Sequence, residues 1–331
     1  MSHVNGKIIQ YRSLARRFAI GLACAMTLSA PAYAEYPERV ITAIVPFAPG
    51  GANDIVARVI TPYMAQRLGQ SVVVQNKAGA AGNIGITATA QSKPDGYTIL
   101  FSATASTQNP ALFKTMPFDP LKDIIPVAEL AESEYALFVK ADSPIRTFKD
   151  LIDEAKKNPG KLNGAAGGIG TRLSIELFNE QYKVKTTVIA YDGTGPSATA
   201  LMTGEADFAI TDPSPLLSAV KSGRVRAVAL AGAKRLDIFP DLKTTAEEGF
   251  PEYTAGAPFG VYVPAGTPQA IVDKLHDLLN DIVKQPDVQE RLNQLGLAPI
   301  NKSQAEFVAL YRNEIEKWKN VVKTANIPLI E

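Results

Sequence analysis

Ile44-Val45-Pro46-Phe47-Ala48-Pro49-Gly50-Gly51-Ala52-Asn53-Asp54 decides the fold class of this 331-residue chain. Val40 to Val45 is a β-branched run suited to a buried strand. Pro46 and Pro49 forbid its continuation, and Gly50-Gly51 can adopt backbone conformations closed to other residues. From Asn53 the apolar positions Ile55, Val56, Val59, Ile60, Tyr63 and Met64 recur at helical spacing. The reading is strand, glycine turn, helix. Such a turn presents free N–H groups at a helix N-terminus, where anions are favoured, although α/β proteins also use it as a plain connection.

The rest of the chain repeats this alternation, which predicts an α/β fold with mostly parallel sheets. Ser71 to Gln75 and Tyr97 to Ser102 read as strands, as do Lys161 to Ala166, Thr186 to Ala190, Phe208 to Thr211 and Val225 to Ala231. Helices are expected near Phe148 to Lys157, Leu173 to Gln181, Ser197 to Gly204, Pro213 to Ser222 and Gln304 to Thr324. Phe138-Val139-Lys140-Ala141-Asp142-Ser143-Pro144 and Tyr262-Val263-Pro264-Ala265-Gly266-Thr267-Pro268 share one pattern, aromatic-Val-x-Ala-x-Ser/Thr-Pro. Each reads as a strand exit with a Ser or Thr N-cap and Pro at the first helical position. Two similar exits suit a chain that crosses into a second lobe and returns. We therefore expect residues 35–137 and 257–331 to form a discontinuous lobe I and 138–256 to form lobe II.

The N-terminus reads as an export signal: Arg12, Arg16 and Arg17, then a mostly apolar Phe18 to Leu28, then the small-x-small site Ala32-Tyr33-Ala34. The apolar run is shorter than the roughly 20 residues a membrane span needs. Cleavage after Ala34 would make residues 1–34 a signal peptide and the protein periplasmic. That segment holds four of the 34 basic residues, none of the 33 acidic ones, the single cysteine and one of two histidines. A remainder of about −3 has no basic surface for nucleic acid, and without cysteine it has neither disulfides nor thiolate chemistry. His276 lies in the helical pattern Ile271, Leu275, Leu278, Leu279, Ile282 and reads as an ordinary helix histidine. We expect no metal, no cofactor and no catalytic residues.

The expected strand ends carry donors and few acid–base groups. Lobe I offers Phe47 to Asp54 and Ser102 to Asn109. Lobe II offers Gly167 to Thr171, Tyr191 to Gly195 and Thr211 to Ser214. Ligands of α/β sheets gather at such carboxyl ends.

These segments resemble the periplasmic solute receptors of tripartite tricarboxylate transporters, the Bug family, over essentially the whole chain after the signal. The matching residues are Tyr36-Pro37, Ile44-Val45-Pro46-Phe47 with Pro49-Gly50-Gly51-x-x-Asp54, and Val72-Val73-Val74-Gln75-Asn76 with Gly79-x-x-Gly82-x-Ile84-Gly85. Pro94-Asp95-Gly96-Tyr97-Thr98, Asn109-Pro110, Lys156-x-x-Pro159-Gly160-Lys161-Leu162, Glu176-Leu177-Phe178, Gly223-Arg224-Val225-Arg226-Ala227 and Pro264-Ala265-Gly266-Thr267-Pro268 follow in family order.

The resemblance implies a two-lobed periplasmic binding protein, type II-like, with hinge strands between lobes that close over a small organic carboxylate. It implies a monomer that delivers the ligand through transient contact with membrane permease subunits. A ligand-sensing receptor that signals through a sensor partner is the alternative. An exported dinucleotide-dependent enzyme rests only on Gly193-x-Gly195-x-x-Ala198. Carried over, the carboxylate is held by backbone and bridging water at Phe47, Ala48, Gly50, Gly51 and Asp54, with Ser102 and Thr104. Gly168, Gly170, Thr171, Tyr191, Asp192, Gly193 and Asp212 complete the cleft. Two departures bear on the ligand. Where many relatives carry a histidine this chain has Thr171-Arg172-Leu173-Ser174, so Arg172 either meets a carboxylate in the cleft or lies on the helix surface. Relatives often have lysine where Asp192 follows Tyr191. An acid there either favours a ligand with an amino group or sits at the rim.

Overall fold

The computed structural model describes residues 36–324 and 327–331, so the expected signal peptide and its cleavage site lie outside the described residues. Strand β1 (Ile41–Val45) is almost wholly buried between β2 (Val72–Asn76) and β3 (Thr98–Ser102), and runs parallel to both. Its β-branched residues therefore meet protein on both faces. β2 is the edge strand and alternates between half-buried and exposed. The sheet continues through β10 (Gly256–Pro264), β4 (Ile124–Glu134) and β11 (Leu297–Pro299), in the order β11-β4-β10-β3-β1-β2. A second sheet holds β5 (Ala136–Lys140), β6 (Asn163–Ala166), β7 (Thr187–Ala190), β8 (Phe208–Thr211) and β9 (Val225–Leu230), in the order β7-β6-β8-β5-β9.

Both sheets are mixed, and the reason is the double crossing between lobes. β10 runs antiparallel to β3 and β4, and β5 antiparallel to β8 and β9. A strand carrying the chain out of a lobe must oppose the one bringing it back. The crossing falls at Tyr135, because Ala136 and Leu137 already pair in the second sheet; the spacing of the two Ser/Thr-Pro motifs put it two residues later. Tyr135 N–H donates to the Ala255 carbonyl at 2.9 Å, while its own carbonyl accepts Ala231 N–H at 2.8 Å. Ala255 N–H also donates to the Ala231 carbonyl at 2.8 Å, so three hinge segments are tied together.

Helices α1 (Ala52–Leu68), α2 (Asn83–Ala90) and α3 (Ala105–Leu112) belong to the first half of the chain. α4 (Phe148–Lys157), α5 (Ile169–Tyr182), α6 (Thr194–Thr203) and the short α7 (Leu217–Lys221) belong to the second sheet. α8 (Gln269–Val283), α9 (Pro286–Gln294) and α10 (Gln304–Thr324) complete lobe I. Neither expected Ser/Thr-Pro cap forms. α4 starts one turn later on a Thr147/Asp150 capping box, and α8 has Pro268 at its N-cap while the Thr267 hydroxyl donates to the Pro264 carbonyl. The reciprocal pair at Thr147 and Asp150 satisfies two orphan N–H groups, more than Ser143 alone would.

In lobe I, Phe47, Leu100, Tyr262, Phe307 and Tyr311 form one buried cluster. Lobe II is centred on stacked and edge-on rings, with Phe148 5.0 Å from Tyr253 and 5.7 Å from Phe178. A third apolar cluster joins the lobes: Ile169 and Leu173 of α5 pack with Ala111 and Leu112 of α3 and Val322 of α10.

Candidate functional site

Four helices begin at facing strand ends. In lobe I, α1 follows β1 with Gly51 at its N-cap, and α3 follows β3 with Thr104. In lobe II, α5 follows β6 with Gly168, and α6 follows β7 with Gly193. None of the four caps supplies a side-chain hydrogen bond to its own helix, so N–H groups and dipole ends are left for other partners. The cleft between them is lined by Phe47, Ala52, Asn53, Ala103, Thr104, Tyr135, Gly167, Gly168, Ile169, Gly170, Thr171, Thr194, Asp212, Ala257 and Phe259.

Asp54 does not line this cleft; it builds the loop that does. Its Oδ2 accepts Gly50 N–H at 3.0 Å and Arg58 Nε–H at 2.9 Å, and its Oδ1 accepts Asn76 Nδ2–H at 3.0 Å. The same Asn76 amide donates to the Phe47 carbonyl at 2.9 Å. Burial works to raise the Asp54 pKa, but the hydrogen bonds from Arg58, Gly50 and Asn76 outweigh it and hold the carboxyl below the usual range. Asn76 was legible only as part of a motif, and Arg58 not at all.

The lobes meet directly. Ala48 N–H donates to the Asp192 carbonyl at 2.9 Å, and Ala52 N–H to Thr194 Oγ1 at 2.9 Å. Gly193, at φ +145°, sits over Phe47 and Ala48, a conformation and approach that a side chain would oppose. A Cβ placed on Gly170 would lie 2.6 Å from Thr104 Oγ1 and 2.8 Å from the Tyr135 hydroxyl. In this closed arrangement the cleft retains about 30 Å³, room for a water or two.

Of the residues expected from the sequence, Phe47, Thr104, Gly168, Gly170, Thr171 and Asp212 line the cleft. Ala48, Gly50, Gly51 and Gly193 stand at the contact between loops. Ser102 is buried at the end of β3 with an unpartnered hydroxyl, behind the lining. Tyr191 turns outward and donates to Glu205 at 3.0 Å, and Asp192 contributes its carbonyl while its side chain is exposed. Arg172 is not brought into the cleft: its Nε lies 3.7 Å from Glu176 one turn along α5. Thr171 Oγ1 donates to the Gly168 carbonyl at 3.0 Å and keeps its lone pairs.

Thr194, Asn53 and Tyr135 also line the cleft; Asn53 and Thr194 fall inside the expected loops Phe47 to Asp54 and Tyr191 to Gly195 without being singled out there. Thr194 stands in a quoted loop, but nothing in its spacing told it from its neighbours; Tyr135 is a hinge residue with no local motif. Asp212 is 2% exposed. Ser214 Oγ donates to its Oδ1 at 2.6 Å, and Thr211 lies at 3.5 Å from Oδ2. Burial pushes its carboxyl up to about 6, against those hydrogen bonds. The same burial, and then the charge of Asp212, raises the pKa of the Tyr135 phenol.

A larger cavity of about 480 Å³ lies behind the hinge, lined by Glu132, Glu134, Lys234, Pro258, Leu310 and Trp318 among others. Size favours that cavity, and Gly170, Ser174 and Leu177 of α5 reach it too, yet its walls are mainly hinge strands and one face of α10, whereas four helix starts converge on the cleft. The Trp318 indole donates to Glu314 at 2.8 Å and packs beside the interlobe cluster. His276 bonds Val127 and Asn280 and is a packing residue. Among the described residues no three His, Cys, Asp or Glu side chains gather as a metal site, and no helix is long and apolar enough to cross a membrane.

Two α/β lobes facing each other across helix N-termini define a solute-binding protein of the periplasmic receptor class. The chain belongs to the tripartite tricarboxylate transporter family receptors (TctC), whose family model matches residues 56–327. It is 33% identical over 307 residues to Protein BugT of Bordetella pertussis, covering 91% of this chain and 94% of BugT. Among solved structures it is similar to R. palustris Rpa4515 with adipate, at 31% identity and TM-score 0.86, covering 89% of this chain and all of that one. It is also similar to MatC from Rhodopseudomonas palustris with bound malate, at 34% identity and TM-score 0.82, covering 87% and 100%.

Proposed function

We propose that this chain is an exported receptor that captures a small organic carboxylate between its lobes and delivers it to a tripartite membrane permease. The observation that carries the reading is the convergence of four uncapped helix starts, two from each lobe, on one cleft. A carboxylate there accepts hydrogen bonds from N–H groups of both lobes, so binding favours closure. The relatives solved with adipate and malate support a carboxylate ligand. The test is a thermal-shift screen of residues 35–331, unfolded and refolded to remove carried-over ligand, against mono-, di- and tricarboxylates, aromatic acids, amino acids, nucleotides and neutral solutes. At a hundred times its Kd a ligand stabilises the fold by about 2.7 kcal/mol, a shift of several degrees. A shift with carboxylates is expected. A shift confined to nucleotides or neutral solutes would overturn the proposal.

A further inference from the structure

Among the described residues, Asp212 is the only charged side chain that lines the cleft. The described lining holds no lysine, arginine or histidine to face it. Among the cationic side chains near the loops, Arg58 is committed to Asp54 and Arg172 lies beside Glu176. The other titratable group in the lining, Tyr135, is a neutral phenol. A buried anion in the same cavity opposes a bound carboxylate, because like charges in a poorly solvated space repel. The Ser214 and Thr211 hydroxyls and the backbone N–H groups of Ser214 and Asp212 hydrogen-bond the carboxylate but bring no formal positive charge.

We infer that the ligand of this receptor is an amino-bearing carboxylate, whose ammonium group is received by Asp212 while its carboxylate lies at the helix starts. This rests on the receptor reading and names the ligand class within it. A zwitterion supplies in one molecule what the cleft lacks: an anion for the N–H donors and a cation for the buried acid. Burial raises the Asp212 carboxyl, and an ammonium placed beside it favours the ionised form. A second feature points the same way: Asn53, also in the lining, has a buried Oδ1 with no hydrogen-bond partner, an acceptor that suits an N–H-bearing ligand. An amide can turn its other end to a ligand, so Asn53 accommodates the ammonium and Asp212 selects it. A hydroxyl would give Asp212 one hydrogen bond and leave its charge uncompensated.

The test is calorimetric titration of the refolded mature protein with size-matched series: glutamate, 2-hydroxyglutarate and glutarate; aspartate, malate and succinate; 4-aminobutyrate, 4-hydroxybutyrate and butyrate. In at least one series the amino member is expected to bind tenfold or more tighter than both others. Asp212→Asn is expected to remove that preference, weakening the amino member at least tenfold and strengthening the unsubstituted acid. The wild-type comparison stands even if the variant folds poorly. Equal or tighter binding of the hydroxy or unsubstituted acid in every series would overturn the inference while leaving a carboxylate receptor intact. So would an amino preference that survives in folded Asp212→Asn. No binding of any acid to the wild type would overturn both readings together.

Discussion

Asp54 and Asp212 are both buried acids on cleft loops, and their surroundings give them opposite roles. Three donors fix Asp54, so Asp54→Asn should loosen the Phe47 to Gly51 loop and weaken ligand binding about tenfold, about 1.4 kcal/mol. Calorimetry would check this, and unaltered affinity would separate the loop from the site. Asp212 has a folded pKa of about 6 against about 3.8 unfolded, so the folded state holds its proton more tightly. Stability from this group is therefore fully present below the unfolded value, falls as pH rises toward 6, and is flat above. The difference is at most about 3 kcal/mol. Asp212→Asn should raise the ligand-free melting temperature at pH 7.5, with the gain shrinking at pH 4; a gain that grew toward low pH would contradict the burial argument. Neither role was legible in the sequence, which showed two acids after strands and nothing of their partners. Asn76 lies 22 residues from Asp54, and local spacing carries no record of that contact.

The strand-turn-helix unit was the most legible element, because β-branched runs stopped by proline and glycine leave few alternatives. What the sequence blurred is where helices begin. Periodicity placed the starts of α5 and α6 at Leu173 and Ser197, yet they begin at Ile169 and Thr194. Gly170 and Gly195 break the apolar pattern, and a glycine-rich first turn looks like loop. That first turn is the one facing the cleft. α3 was missed for a similar reason, since Ala105 to Asn109 is too polar to show a helical face. Gly170 offers a test at this scale. Gly170→Val places atoms where Thr104 and Tyr135 now stand, so the lobes should be unable to meet. Ligand affinity should fall by a hundredfold or more while the ligand-free melting temperature stays within a few degrees. Wild-type affinity in the variant would show that this approach is unnecessary for binding.

At the scale of the whole molecule, the two-lobed plan followed from a chain too long for one core and a repeated strand exit, although the exits themselves cap no helix. The interlobe cluster of Ile169, Leu173, Ala111, Leu112 and Val322 was invisible, since its members lie far apart along the chain. It sets the balance between open and closed, because opening exposes buried apolar surface. Leu173→Ala should shift the ligand-free protein toward open forms, seen as a larger radius of gyration in solution scattering that excess ligand reverses. An unchanged radius would mean that other contacts hold the lobes. The most direct measurement is a crystal structure of the mature chain with the tightest-binding acid from the screen. The expected result is one carboxylate between the starts of α1 and α5, within about 3 Å of backbone N–H groups or joined to them by single waters. An acid seated instead in the cavity behind the hinge, beside Trp318 and Glu134, with the cleft loops untouched, would contradict the assignment of the site.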